Sequence, residues 1–492
     1  MLCSLALLAA GSAAAQDEAA SSRLDDTRAV REAMANNPTL RAALLDLRRA
    51  NESLRFEEGR YPYTLQLDAG LTRSASPRVS GSDVVVSTGD SIDVGAQISR
   101  TFPTGTRAAV RVDGSRDMSR KPDKSGPRYS TTARASVTQP LMRGFGTELG
   151  EMQLRIARMN RTASELSRDR VASETARDVL VAYWELWYAE AAVDIETNAL
   201  GLAKRQRDEA QQRVDAGALA PVEVLTFDTR VASLEESVVS AETDQRRRGF
   251  TLAQRIGSTE GYSTNYLAEI DQEPVVSAMP LRTTAIEQAL ANSPEIRELN
   301  VQLRLAQEQV KTSGDSYRPR LDLEAYVQLS GLGNEEVPPA LEQVVTAKAT
   351  SAHVGIVYEL PLDSSRKTAE RTRDLLAVRV AEQRLVAARQ RIQTEVETML
   401  EQERAARVRL QMAETTAGIA EKQVAAVTER YQLGAAISVE VQQAEDELRR
   451  ARLRAVRARV DLVEAEVQRS HATGALLTRL ADQVPAAPPD TD

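Results

Sequence analysis

Two spacings of apolar residues run through this chain. Tyr63-Thr-Leu-Gln-Leu-Asp-Ala-Gly-Leu71 places apolar groups at odd positions and polar or small ones between them. Ile92 to Ile98, Ala133 to Val137 and Leu321 to Leu329 do the same, and Val354 to Leu360 follows except for Val357 on its second face. Period two predicts strands with one apolar and one polar face. From about Thr147 to about Ala216, and again from about Lys367 to about Leu433, Ala, Leu and Val recur at helical spacing among Arg, Glu and Gln, with almost no Gly or Pro. Each such arm is roughly 100 Å of helix at 1.5 Å per residue. Neither can bury its stripe alone, so each is expected to pack on neighbours as a coiled coil. Trp184 and Trp187 are expected between helices.

The pattern is written twice. Ala29-Val-Arg-Glu-Ala-Met-Ala-Asn-Asn-Pro38 returns as Ala285-Ile-Glu-Gln-Ala-Leu-Ala-Asn-Ser-Pro294, and each copy opens a helix that leads to a strand headed by Pro62 or Pro319. The strands leave through Thr138-Gln-Pro140-Leu and Glu359-Leu-Pro361-Leu. Each arm breaks at a glycine: Arg213-Val-Asp-Ala-Gly217 matches Arg430-Tyr-Gln-Leu-Gly434, followed by Val222-Glu223-Val224 and Val439-Glu440-Val441. Glycine takes the left-handed conformation that ends a helix, and Pro221 suits the first turn of a returning one. The expected organisation is a duplicated α+β helix-strand-strand-helix unit. The first repeat covers 25–257, with strands over about 63–141 and a hairpin tip near 217. A linker follows at 258–283. The second repeat covers 284–480, with strands over about 320–361 and a tip near 434. Residues 481–492 are expected as a disordered tail.

Pro62 to Pro140 spans 36 more positions than Pro319 to Pro361, the size of one additional hairpin. That gives four strands in the first copy and two in the second. The alternative is that 91–116 form an excursion outside the sheet, leaving two strands per copy. Strand alternation alone favours a soluble sandwich over an outer-membrane barrel. Loop asymmetry shifts the balance. Residues 75–90, 117–128 and 331–350 are long and mostly polar, whereas Phe102-Pro-Thr-Gly-Thr106 is a tight connection, and long loops on one side with short turns on the other are a barrel habit.

Bulk composition narrows the partners. The 492 residues carry only 4% aromatics and a net charge of −8. Nucleic acid is not expected, because it calls for a concentrated basic face. Residues 1–16 fit a secretory signal, with apolar Leu2 to Ala10 and small residues before Gln16. The basic leading segment is missing, which leaves open a start upstream of Met1. Cys3 is the single cysteine and precedes the expected cut. No stretch approaches the twenty apolar residues of a membrane helix. His353 and His471 are far apart, and without a mature cysteine neither a structural zinc site nor a thiol nucleophile is expected. His353 falls on a strand's polar face. Gly144-Phe-Gly146-Thr-Glu-Leu-Gly150 is similar to a dinucleotide-binding loop, but its third glycine is one position late and the strand before it alternates. Hinge glycines explain the run better. No enzyme, cofactor or metal is expected.

The doubled openings, Pro-led strands, strand exits and paired tips, in that order and over about residues 25 to 480, resemble the TolC-like outer-membrane efflux channels. The resemblance implies a homotrimer sharing one β-barrel in outer-membrane lipid, continuous with a periplasmic α-helical barrel. It implies a passive exit duct of a tripartite efflux pump or type I secretion system, located in the bacterial outer membrane with a large periplasmic extension. Partners would be a periplasmic adaptor and an inner-membrane pump, met through tips that include Arg213, Gly217, Arg430 and Gly434. It puts acidic aperture residues on Glu223 and Glu440, a further family acid on Gln443, and a retained tyrosine at Tyr431 whose arginine partner falls on Ala436. Pro62, Pro140, Pro319 and Pro361 would mark barrel-to-helix junctions. The reading from a different class is a soluble periplasmic coiled-coil scaffold with a small β-sandwich.

Overall fold

A computed structural model describes residues 21–120, 126–218, 220–258, 265–269 and 277–479. The expected signal segment with Cys3, part of the linker and the expected C-terminal tail lie outside these residues. In chain order the elements are β1 (Ser21–Leu24), α1 (Asp26–Asn36), α2 (Pro38–Glu58), β2 (Thr64–Ser80), β3 (Asp83–Thr101), β4 (Arg107–Arg120), β5 (Pro127–Pro140), α3 (Thr147–Gly150), α4 (Met152–Asp215), α5 (Pro221–Ile256) and β6 (Asn265–Ala268). Then follow α6 (Arg282–Asn292), α7 (Pro294–Ser316), β7 (Arg320–Asn334), α8 (Pro338–Val345), β8 (Thr350–Glu359), α9 (Ser365–Gln432), α10 (Ser438–Ala472) and α11 (Ala475–Arg479). No helix among the described residues is long and apolar enough to cross a membrane. The chain divides into two compact units.

One unit, residues 46–165 and 297–386, is built on a six-stranded antiparallel sheet ordered β2-β3-β4-β5-β7-β8. Residues 91–116 lie in β3, in β4 and in the turn between them, so the surplus of the first copy is a hairpin within the sheet. Register carries the alternation across all six strands. Leu65, Ile98, Val110, Ala135, Val327 and Ala352 form one row, and Gln66, Gln97, Arg111, Arg134, Gln328 and Ser351 form the next. The apolar face is exposed at Leu65, Leu67, Leu71, Val94, Ile98, Val110, Val354 and Ile356. No second sheet covers it among the described residues, which removes the sandwich.

All three loop expectations change. Residues 117–120 and 127–128 belong to β4 and β5, and 121–125 lie outside the described residues. Residues 75–90 are strand rather than loop: β2 and β3 pair throughout and turn tightly at Gly81, whose φ is +66°. The Ser, Gly and Pro content of the segment reads as a loop, but Val79, Val84 and Val86 keep the alternation. Pro77 is tolerated because β2 is an edge strand with no partner on one side. Residues 331–350 contain the end of β7 and all of α8. Gly331 and Gly333 let α8 sit close, since a Cβ on Gly331 would stand 1.9 Å from the Ala340 carbonyl oxygen. The expected hinge at Gly144–Gly150 is also a packed seat. Gly146 N donates to Thr104 O at 3.2 Å, Gly144 N donates to Asp315 Oδ2 at 2.9 Å, and a Cβ on Gly150 would lie 1.8 Å from Pro103 O. These glycines receive the β3–β4 turn.

The other unit, residues 1–45, 166–296 and 387–492 where described, is helical with one small parallel pair, β1 against β6. Each opening expected as one helix is two. Asn37 Oδ1 accepts from Thr39 N at 2.9 Å and from Leu40 N at 3.2 Å, and Ser293 Oγ accepts from Ile296 N at 3.3 Å. Pro38 and Pro294 then take the first helical position, where no N–H is needed. The alanines of both openings, Ala29, Ala33, Ala285 and Ala289, are fully buried. Tyr183, Trp184 and Trp187 lie in a core with Leu24, Val30, Leu252, Ile256 and Val460, so the tryptophans pack between helices.

Candidate functional site

The two helical tips share one turn geometry. Gly217 N donates to Val214 O and Ala218 N to Arg213 O, each at 2.8 Å. Gly434 N donates to Tyr431 O at 3.0 Å and Ala435 N to Arg430 O at 2.8 Å. These are the paired bonds of a Schellman ending, and both glycines carry the positive φ it requires, +72° and +76°. The returning helices begin at Pro221 and Ser438, which puts Glu223 and Glu440 at the third position of their first turns. Both are exposed, as is Gln443 one turn on from Glu440. An acid there is favoured by the positive end of the helix dipole, whatever else it does.

The matched arginines behave differently. Arg213 Nη1 lies 3.4 Å from Tyr431 Oη, with the guanidinium carbon 5.8 Å from the ring centre, so it joins one tip to the other. Arg430 Nη2 instead donates to Ala435 O of its own turn at 3.1 Å. Further along the hairpins sits a buried polar layer absent from the sequence expectations. Arg230 reaches Glu445 at 3.2 Å and Asp446 at 3.3 Å, and Gln206 Nε2 donates to Glu445 Oε1 at 2.7 Å. Arg449 Nη1 donates to both oxygens of Glu196 at 2.8 Å. Burial pushes the Glu445 carboxyl up, opposed by the Gln206 hydrogen bond and the Arg230 charge. The i,i+3 spacing of Asp446 and Arg449 was readable, but partners more than two hundred positions away were not.

In the sheet unit, the expected junction prolines stand at strand ends. Pro62 and Pro319 precede β2 and β7, Pro140 closes β5 opposite Asp322, and Pro361 follows β8. The apolar face has a border of arginine and tyrosine at each end. Arg100 stands over the rings of Tyr63 (4.6 Å) and Phe102 (5.2 Å), and Arg116 stands 5.9 Å from the ring of Tyr129. Arg116 pairs with Ile92 of β3, eight residues from Arg100. The borders are therefore about 26 Å apart along the strand, or about 20 Å in height at a 40° tilt. That approaches the apolar band of an outer-membrane wall, about 25 Å tall with aromatic borders.

The family model described as outer membrane efflux protein matches residues 29–258 and 285–475. The chain belongs to the outer membrane efflux protein family. Comparison with curated protein sequences gives no match. Among solved structures, the outer membrane protein VceC of Vibrio cholerae is 17% identical, with 91% of this chain and 96% of that one covered at a TM-score of 0.64. The CmeC outer membrane channel of Campylobacter jejuni is 12% identical, covering 93% and 89%, at 0.65. The open-state MtrE outer membrane channel of Neisseria gonorrhoeae is 15% identical, covering 91% and 88%, at 0.64. At these identities the likeness is one of fold. This outer membrane efflux protein is an exit duct of the outer membrane with a periplasmic helical extension, in a family of channels rather than enzymes. Among its described residues no cluster of three or more His, Cys, Asp or Glu is placed to hold a metal ion.

Proposed function

We propose that three copies of this efflux protein form a passive duct that serves a tripartite pump or a type I secretion system. The observation that carries the reading is the uncovered apolar sheet face, bordered at both ends by arginine–tyrosine pairs. Lipid satisfies that face and water the opposite one, while the helical hairpins supply the periplasmic conduit. The tips carrying Arg213, Gly217, Arg430 and Gly434 would meet a periplasmic adaptor and, through it, an inner-membrane pump. Threefold symmetry would gather the exposed Glu223 and Glu440 near one axis, with Gln443 beside them. Like charges in a narrow opening focus a negative potential and favour cations.

The test is fractionation and reconstitution of the full chain. Heat-modifiable trimers in the outer-membrane fraction, forming channels in planar bilayers, are expected. Soluble monomers released by osmotic shock would support the periplasmic scaffold instead.

A further inference from the structure

We infer that the apolar sheet face holds a binding site for an anionic phospholipid, with the phosphate on Arg100 and one acyl chain in an alanine-floored trough beside it. The inference rests on the membrane-wall reading above and names a specific lipid partner for that wall.

The trough follows from which side chains share a row. Pairing sets Arg100 of β3 in line with Ala108, Val137, Ala325 and Val354, and Ile98 in line with Val110, Ala135, Val327 and Ala352 in the next row. Small and branched residues thus alternate, and the four alanines form a zigzag floor across β4, β5, β7 and β8. The valines rise on either side. The depression has a volume of about 480 Å³ and almost wholly apolar walls. From β3 to β8 it crosses four strand spacings, about 19 Å. That is close to the hydrocarbon depth of one leaflet, half of about 30 Å. Strand tilt sets the trough oblique to the membrane normal. An acyl chain fits it in length and in chemistry.

One end of the trough is charged. Arg100 closes it on β3, with its guanidinium carbon 4.6 Å from the Tyr63 ring centre and 5.2 Å from that of Phe102. The rings hold the cation without neutralising it. Among the described residues Arg100 has no ion pair, and its Nε has no hydrogen-bond partner. By contrast, Arg73 stands with Asp90, Arg111 with Asp68 and Asp113, and Arg320 with Asp322. An unmatched cation at the rim of an apolar trough suits an anion that arrives with hydrocarbon attached. A phosphodiester offers paired oxygens to the guanidinium, the geometry arginine favours. No carboxylate pairs with Arg100 to receive a headgroup ammonium as well, so phosphatidylglycerol suits the site better than phosphatidylethanolamine.

Place in the fold selects the leaflet. Arg100 stands just before the Phe102–Thr106 turn, at the end of the sheet where the chain enters from α2 and leaves toward α4. In the duct this is the periplasmic border of the lipid band, so the leaflet that reaches it is the inner, phospholipid one. The opposite border differs, although Arg116 and Tyr129 repeat the pair. There α8 lies over the sheet at Gly331 and Gly333, so the chain itself fills the space. The trough at Arg100 has no such cover among the described residues: Ile98, Val110, Val137, Val327 and Val354 are all exposed.

The experiment uses trimers of the full chain, extracted from outer membranes, stripped of lipid and given equimolar dipalmitoyl phosphatidylglycerol and dipalmitoyl phosphatidylethanolamine. Native mass spectrometry reads the lipids retained. One tightly held lipid per copy is expected, with phosphatidylglycerol favoured about fivefold, the effect of one basic side chain at an anionic lipid surface. Arg100→Gln should remove that preference. Ala135→Leu and Ala325→Leu fill the floor and keep the charge, and should lower retention of both lipids. Arg116→Gln should change neither. A preference absent from wild-type trimers or surviving Arg100→Gln, or retention undiminished in both leucine variants, would overturn the site and leave the duct standing. Soluble monomers outside the membrane would overturn both.

Discussion

Arg213 and Tyr431, 218 positions apart, meet at 3.4 Å where the two helical hairpins end. The arginine expected at a docking tip is partly spent on the neighbouring hairpin. Its counterpart Arg430 is folded onto its own turn. Two copies of one motif have thus acquired different contacts, because only one of the two tips carries a tyrosine at the matching position. Tyr431→Phe removes the hydroxyl and keeps the ring, whereas Arg213→Ala removes both contacts. The coupling between the two residues should be about 0.5–1 kcal/mol, as expected for a partly exposed cation–ring contact. A double-mutant cycle on closed-state lifetime in single-channel recordings measures it, and full additivity would dismiss the contact as a latch.

The buried pair of Arg230 and Glu445 should matter more. Both side chains are about nine-tenths buried, at 11% and 10% exposure. Arg230→Ala leaves a desolvated carboxylate with only Gln206 and should cost about 3–5 kcal/mol of local stability. Adding Glu445→Gln should restore most of it, since the charge is gone and the Gln206 hydrogen bond can persist. Amide exchange along the returning helices reads both effects.

Four left-handed glycines among the described residues of the helical unit separate conformation from space. A Cβ meets nothing within 4 Å at Gly217 and Gly434, so alanine there costs only the backbone term of about 1–2 kcal/mol. Gly257 and Gly474 each stand forty residues after a tip glycine. A Cβ on Gly257 would lie 2.8 Å from Asn36 O, and one on Gly474 2.7 Å from Asn292 Cβ. Alanine at either should lower stability by about 1–3 kcal/mol more than at the tips. Thermal unfolding of the four variants in detergent checks the ranking.

Glu190 gives the fold a pH dependence. Burial pushes its carboxyl up to about 7, although Ala268 N donates to it and the Arg23 charge opposes the rise. The folded state therefore holds a proton that the unfolded state releases above the ordinary glutamate range. The Glu190 contribution is complete below that range and is lost as pH rises through about 7. Glu190→Gln should leave the melting temperature nearly unchanged at pH 5 and raise it at pH 8. An equal shift at both values would rule out the carboxyl as the cause.

Replacing Glu223 and Glu440 together by alanine should weaken cation selectivity in bilayer recordings while leaving trimers intact. Unchanged reversal potentials under a salt gradient would count against an acidic aperture.

Local rules made much of this molecule readable from its residues. Alternation from Tyr63 to Leu71 or Leu321 to Leu329 can satisfy only a strand with two unlike faces. A stripe over some seventy residues with almost no glycine can satisfy only a long packed helix, and Gly217 and Gly434 can end one. The boundary of β2 escaped because Ser, Gly and Pro serve an exposed edge strand as readily as a loop, and which applies depends on whether β3 lies alongside. Contacts such as Arg213 with Tyr431, Arg230 with Glu445, and Gly257 against Asn36 were decided only by tertiary structure. Each joins groups brought together when separate segments pack, and the attraction or crowding between them has no period along the chain.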